Sequence, residues 1–218
     1  MASSMMHLYV GRILTKVWYQ PQNKAQFYLG CIVPDSVNLS GFASKEKRWE
    51  AHFRHSDLQI WAEQVARFYV NSRQYTDRDY LLGYVVHALT DIAWDAGDHD
   101  YVWQAMRKLN LPAGSDLGAG WDDCFRFDHK QLEAAWWLQE VQPLLKKAAA
   151  EPINGLAKEW IEVFVEQIVT GGIEKDDRLY TPPVLVTNLL VDQLARQTEQ
   201  LCRKMIRIES AAACPNRQ

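Results

Sequence analysis

The sequence predicts an all-α fold. Apolar residues recur at helical spacing along most of the chain, residues that start and stop helices punctuate it, and no stretch reads as sheet. The 218 residues suit one domain, spanning 1–218, and 48% of them are hydrophobic. A chain of that size buries a full core without needing a disulfide or a metal merely to fold.

The elements follow in order. Residues 7–18 read as a first helix with Leu8, Ile13 (or Leu14) and Val17 on one side, ending before Pro21. Residues 27–43 hold Gly30, Pro34 and Gly41 and read as irregular. Ser44 caps a short helix over 45–54 that carries His52 and His55, and a longer helix follows from about 57 to 72. Thr76 and Asp79 form a capping box for a helix over 77–95 that Gly97 ends, and another helix spans 99–109. "NLPAGSDLGAGWDD" reads as a loop, followed by helices over 129–149 and 153–170, the second closed by Gly171 and Gly172. Thr181 before Pro182 starts a last helix over 183–209, which buries Val186, Leu190, Leu194, Leu201 and Met205. The terminal "AAACPNRQ" is expected to fray.

The net charge is −3 and no basic block is present, so duplex nucleic acid is not an expected partner. Cys31, Cys124, Cys202 and Cys214 are scattered without a CxxC pair, which argues against a zinc knuckle or a disulfide framework and for reduced thiols. The opening "MASSMMHLYVGRIL" lacks the apolar run and cleavage site of a signal peptide, and no apolar run approaches the ~20 residues of a transmembrane segment. A cytoplasmic location is the expectation. The oligomeric state is not legible.

The stretch "GYVVHALTDIAWD" sets His87, Asp91 and Asp95 one helical turn apart in a helix that is apolar on all sides. Burying ionisable groups without partners costs several kcal/mol. His87 and Asp91, at i and i+4, share one face and can bind one cation. A buried His–Asp hydrogen bond of purely structural role fits the same pattern. Further candidate ligands are His7 at the start of the first helix, Asp35 in a proline-containing loop, and His52 beside Trp49 and Phe53, with His55 as its competitor. Taken singly, each has a plain reading: a surface histidine, a turn former, a half-buried core histidine. Together they suit zinc or another divalent transition metal and need no thiolate.

"FYLGCIVPDSV", "KEKRWEAHFRH" and "LGYVVHALTDIAWD" occur in that order. The series resembles the zinc-dependent phospholipase C family, and within it the short bacterial members without a secretion signal. The match covers about the first 100 residues, and extends weakly to "WDDCFRFD". The resemblance implies an all-α, single-domain, multi-helix bundle of the phospholipase C/nuclease type. It implies a metal centre built by Asp35, His52, His87 and Asp91, and a second metal held by His7 with Asp91 bridging. Secreted members also use an N-terminal tryptophan as a ligand, for which this chain has no counterpart. Their third metal needs a histidine helix, for which His129 and Glu133, with His99 or Asp95, fit poorly; exposed positions on an amphipathic helix suit His129 and Glu133 better. Asp123 and Asp128 are acidic residues without an assigned role.

The activity implied is hydrolysis of a phosphoric ester by metal-activated water, with one or two Zn2+ and Asp35 as the carboxylate that orients or deprotonates the water. The substrate expected is a small-molecule or lipid phosphoester. The competing expectation is a non-catalytic helical protein that holds a structural or ligand-binding metal. A third, an HD-type phosphohydrolase, would rest on His99–Asp100 alone.

Overall fold

The computed structural model describes residues 2–39, 43–72, 74, 77–109, 118–171 and 181–212, with side chains through 206. Among them the fold is all-α, without a strand beyond an isolated bridge between Ile153 and Leu156. The helices are α1 (Ser4–Val17), α2 (Lys24–Gly30), α3 (Lys45–His52), α4 (Leu58–Ser72), α5 (Arg78–Leu109), α6 (Ala119–Leu132), α7 (Gln142–Leu145), α8 (Lys158–Val169) and α9 (Asn188–Ala212). A 3-10 turn over Val33–Asn38 follows α2, and a π-helical turn over Trp137–Val141 leads into α7.

The central element is α5. Every residue from Asp79 to Trp94 is buried, as a helix apolar on all sides requires. Helices α1, α2, α4, α6 and α9 pack around it. The closest approach is to α2. A Cβ built on Gly83 would lie 2.1 Å from the Phe27 carbonyl oxygen, and one on Gly30 would lie 2.2 Å from that of Tyr80. Neither position has room for a side chain, so the two backbones touch.

Several boundaries differ from the sequence expectations, each for a local reason. The stretch expected to be irregular from residue 27 begins inside α2, where Asn23 Oδ1 accepts the Gln26 N–H and Phe27 to Gly30 are buried. Thr76 lies outside the described residues. Asp77 accepts the Tyr80 N–H, while Asp79 turns away to accept from Tyr19 Oη and the Asn23 N–H. Gly97 does not end the helix: α5 runs 32 residues through it, and the glycine passes Gln197 of α9. An interior glycine costs a helix only about 1 kcal/mol, less than packing against a neighbour returns.

Helix α6 begins inside the expected loop, and the expected 129–149 helix is broken by a turn at residues 133–134, after which a π-helical turn runs directly into α7, which ends at Leu145. The expected start at residue 153 is a tight turn through Asn154 and Gly155, both at positive φ, before α8. Gly171, at φ 71°, closes α8 as expected, and Gly172 lies outside the described residues. Residues 181–187 are not helical. Asp123 of α6 accepts the backbone N–H groups of Val184, Leu185 and Val186 at 2.7–2.8 Å, and α9 starts only at Asn188. Of the residues expected to be buried there, Val186, Leu194 and Met205 are; Leu190 and Leu201 are half-buried. Residues 213–218, and with them Cys214, lie outside the described residues. Cys31, Cys124 and Cys202 are free and buried. No helix among the described residues is long and apolar enough to cross a membrane.

Gly83→Ala should destabilise the protein by at least about 2 kcal/mol, because the new methyl must displace backbone. Gly97→Ala meets nothing nearer than 3.6 Å and should stabilise it by up to about 1 kcal/mol. Urea unfolding of both variants checks the pair.

Candidate metal centre

Five side chains from four elements converge beside the middle of α5. His7 comes from the second turn of α1, Asp35 from the 3-10 turn, His52 from the last position of α3, and His87 and Asp91 from α5. All five residues singled out from the sequence are brought together. His52, not His55, faces the cluster; His55 accepts the Asp57 N–H at 2.9 Å instead. The five fall into two groups that share His87: His7, His87 and Asp91, and Asp35, His52 and His87. Within each group the ligand atoms lie within 4.8 Å of one another.

Local structure fixes these side chains before any ion is considered. Helix α3 stops at Phe53, which adopts φ 53° in the left-handed region, and so places His52 at its end. The carbonyl of His52 accepts the Trp61 indole N–H at 2.7 Å, and that of Ala51 accepts from Tyr84 Oη. The Nδ1 atom of His52 lies 2.7 Å from the Arg48 carbonyl, and that of His87 lies 2.8 Å from the Cys31 carbonyl. A carbonyl oxygen only accepts, so both Nδ1 atoms carry hydrogen. Both Nε2 atoms therefore point inward. His7 stacks on His87, with ring centroids 3.6 Å apart and planes 13° from parallel.

The inward atoms lie near one another without pairing fully. His52 Nε2 is 3.3 Å from Asp35 Oδ1, while His87 Nε2 and His7 Nε2 are each 3.6 Å from an oxygen of Asp91. Both ring nitrogens of His7, Nε2 of His87 and Oδ2 of Asp91 are buried without a hydrogen-bond partner. Orphaned polar atoms at this depth are costly, and a shared cation would satisfy all three side chains together. The donor set, three imidazoles and two carboxylates with no thiolate, fits zinc or a similar divalent metal. The Nδ1–H bonds to carbonyls are the outer contacts that orient histidine ligands.

Burial holds the pKa of both His7 and His87 down to about 3, so both rings are neutral near pH 7, the form that binds metal. Burial also opposes charge on His52, but the Asp35 hydrogen bond and the Asp91 and Asp35 charges outweigh it and raise its pKa. Burial disfavours charge on Asp35 too, yet the surrounding histidines win and hold its carboxyl far below the usual carboxylate range. Without a cation, then, His52 holds a proton against Asp35. Of the five side chains only Asp35 reaches solvent, at 12%; those of His7, His52, His87 and Asp91 are fully buried.

The other candidates lie outside both groups. Asp95 pairs with Arg54. His99 bonds Asp100 at 3.0 Å and stacks on Trp103, and Asp100 is exposed. His129 is buried rather than exposed, while Glu133 is exposed at the end of α6. Asp123 holds backbone, as described above. Three contacts escape sequence reading, two of them to the cluster: the Ala2 N–H donates to Asp91 Oδ1 at 2.7 Å, Ser4 Oγ lies 3.5 Å from Asp35 Oδ2, and beside them Ser3 Oγ donates to Asp128 Oδ1 at 2.6 Å. Serines at a chain start signal no more than a helix cap, and Asp128 belongs to no ligand spacing.

The metal-free protein should lose stability on mild acidification. Between about pH 4.5 and 6 the unfolded chain takes protons on His7 and His87 that the folded protein refuses, because their folded pKa values are depressed. Asp128, pushed up to about 8 by burial, works the other way, keeping one proton that the unfolded chain releases. His52, raised in the fold, is protonated in both states and drops out. The balance is about one extra proton bound on unfolding, so stability should fall by about 1.4 kcal/mol per pH unit as pH drops. Urea midpoints at several pH values in chelator check this.

Compared with protein-family models, curated proteins and solved structures, the chain matches none.

Proposed function

We propose that the protein is a metal-dependent hydrolase of phosphoric esters, with zinc as its metal and a phospholipid or other phosphodiester as its substrate. The observation that carries this reading is the buried convergence of His7, Asp35, His52, His87 and Asp91, with inward nitrogens and a carboxylate oxygen left unpaired. Two divalent ions held close together supply Lewis acidity for an in-line displacement at phosphorus and make water acidic enough to attack near neutral pH.

The chain's own residues set the rest. Two carboxylates and three neutral imidazoles carry a net charge of −2, so two divalent cations leave the centre at about +2. An anionic phosphoester is attracted to such a site. Asp35 is the ligand with solvent access, which suits it to orient the attacking water and accept its proton. His52, anchored through Nδ1 to the Arg48 carbonyl, would present its Nε2 to an ion beside Asp35. Asp91, with Oδ1 towards His7 and Oδ2 towards His87 and His52, is the carboxylate that would be shared if two ions were held.

One observation favours a second reading, a metal of structural role: four of the five side chains have no exposure. A structural site is closed, while a catalytic one keeps a position open.

Elemental mass spectrometry on untagged protein, with His87→Ala and Asp91→Ala beside it, separates the readings. About two zinc ions per chain, reduced in both variants, together with hydrolysis of a chromogenic phosphodiester, is the expected result. One chelator-resistant ion and no hydrolysis would establish the structural reading. No metal after reconstitution would end both. Asp35→Asn should lower kcat by about 10²-fold or more if it handles the proton of the attacking water.

A further inference from the structure

Residues 2–4 hand three consecutive donors to three buried aspartates. The Ala2 N–H meets Asp91 at 2.7 Å, the Ser3 hydroxyl meets Asp128 at 2.6 Å, and the Ser4 hydroxyl lies 3.5 Å from Asp35. Asp91 and Asp35 belong to the candidate metal centre; Asp128, on α6, does not.

The start of α1 shows how Asp128 enters. Ser3 is the N-cap, with extended backbone at φ −86° and ψ 165°, yet its side chain makes no cap hydrogen bond. A capping serine ordinarily accepts one of the free N–H groups of the first turn. Here the hydroxyl is spent as a donor to Asp128 on α6 instead. The N-cap residue of the helix is held from another element. The cap is buried: Ala2 is 2% exposed, Ser3 5% and Asp128 2%.

Anchoring Ser3 fixes where α1 begins, and so sets the positions of His7, of the Ala2 amide and of the Ser4 hydroxyl together. We propose that Asp128 is a positioning residue of the metal centre, which acts by fixing Ser3, the N-cap residue of α1, and thereby holds the donors of residues 2–4 on Asp91 and Asp35. The proposal rests on the reading of the five-residue cluster as a metal site. Outer contacts of this kind orient ligand carboxylates, and their loss commonly weakens metal binding 10–100-fold.

The test measures zinc affinity by competition with a chromophoric chelator in wild type, Asp128→Ala, Asp128→Asn and Ser3→Ala. Thermal unfolding of each metal-free protein runs alongside. Asp128→Ala and Ser3→Ala should bind zinc about tenfold or more weakly. Asp128→Asn keeps an oxygen that accepts from Ser3 and should stay within about threefold of wild type. A purely structural role would lower the melting temperature and leave the affinity unchanged, and that result overturns the proposal. So does an Asn variant as weak as the Ala variant. Should Asp128→Ala not fold, Ser3→Ala decides, and wild-type affinity there overturns the proposal. A wild type that binds no zinc removes the metal centre itself; a wild type that binds zinc beside unaffected variants removes only the role of Asp128.

Discussion

The constraint that organises this molecule is the cost of keeping Asp91 inside it. A carboxylate on a helix buried on every face needs partners, and water is not among them. Its neighbours are the amide of Ala2 and the rings of His7, His87 and His52. Those groups belong to α1 and the residues just before it, to α3 and to α5, and Asp35 adds the 3-10 turn. The polar cluster thus ties together elements whose apolar faces also form the core. Even so, its hydrogen bonds are incomplete, and the atoms left over are those with lone pairs to offer a cation.

Much of the site is legible in the sequence because the signals are local and chemically unusual. His87 and Asp91 declare themselves by spacing in an otherwise apolar helix. Asp35 and His52 stand beside residues that mark a turn and a helix face. What the sequence does not disclose depends on distant partners. Ser3 looks like an ordinary cap until Asp128, 125 positions away, takes its hydroxyl. Asp123 looks like a surface acid until it gathers three backbone amides from residues 184–186.

The fold class is equally legible, and the helix boundaries are not. Gly97 reads as a stop, but a glycine stops a helix only where the chain gains by turning. Against α9 it gains more by continuing. The 3-10 turn and α2 were hidden for the opposite reason. Both are short, and tertiary burial rather than propensity holds them. The resemblance to zinc-dependent phospholipases C rests on the same short stretches that build the cluster, so the chemistry of those stretches has to carry the functional reading.

The contact between Gly30 and Gly83 reaches further than packing. Because α2 lies directly on α5 there, the next carbonyl along, that of Cys31, comes within 2.8 Å of His87 Nδ1, one helical turn beyond Gly83. That bond decides which tautomer His87 adopts, and so which of its nitrogens faces Asp35 and Asp91. Two residues without side chains thereby choose the lone pair that a third presents. The coordination chemistry of the centre is written partly in how closely two helices can lie.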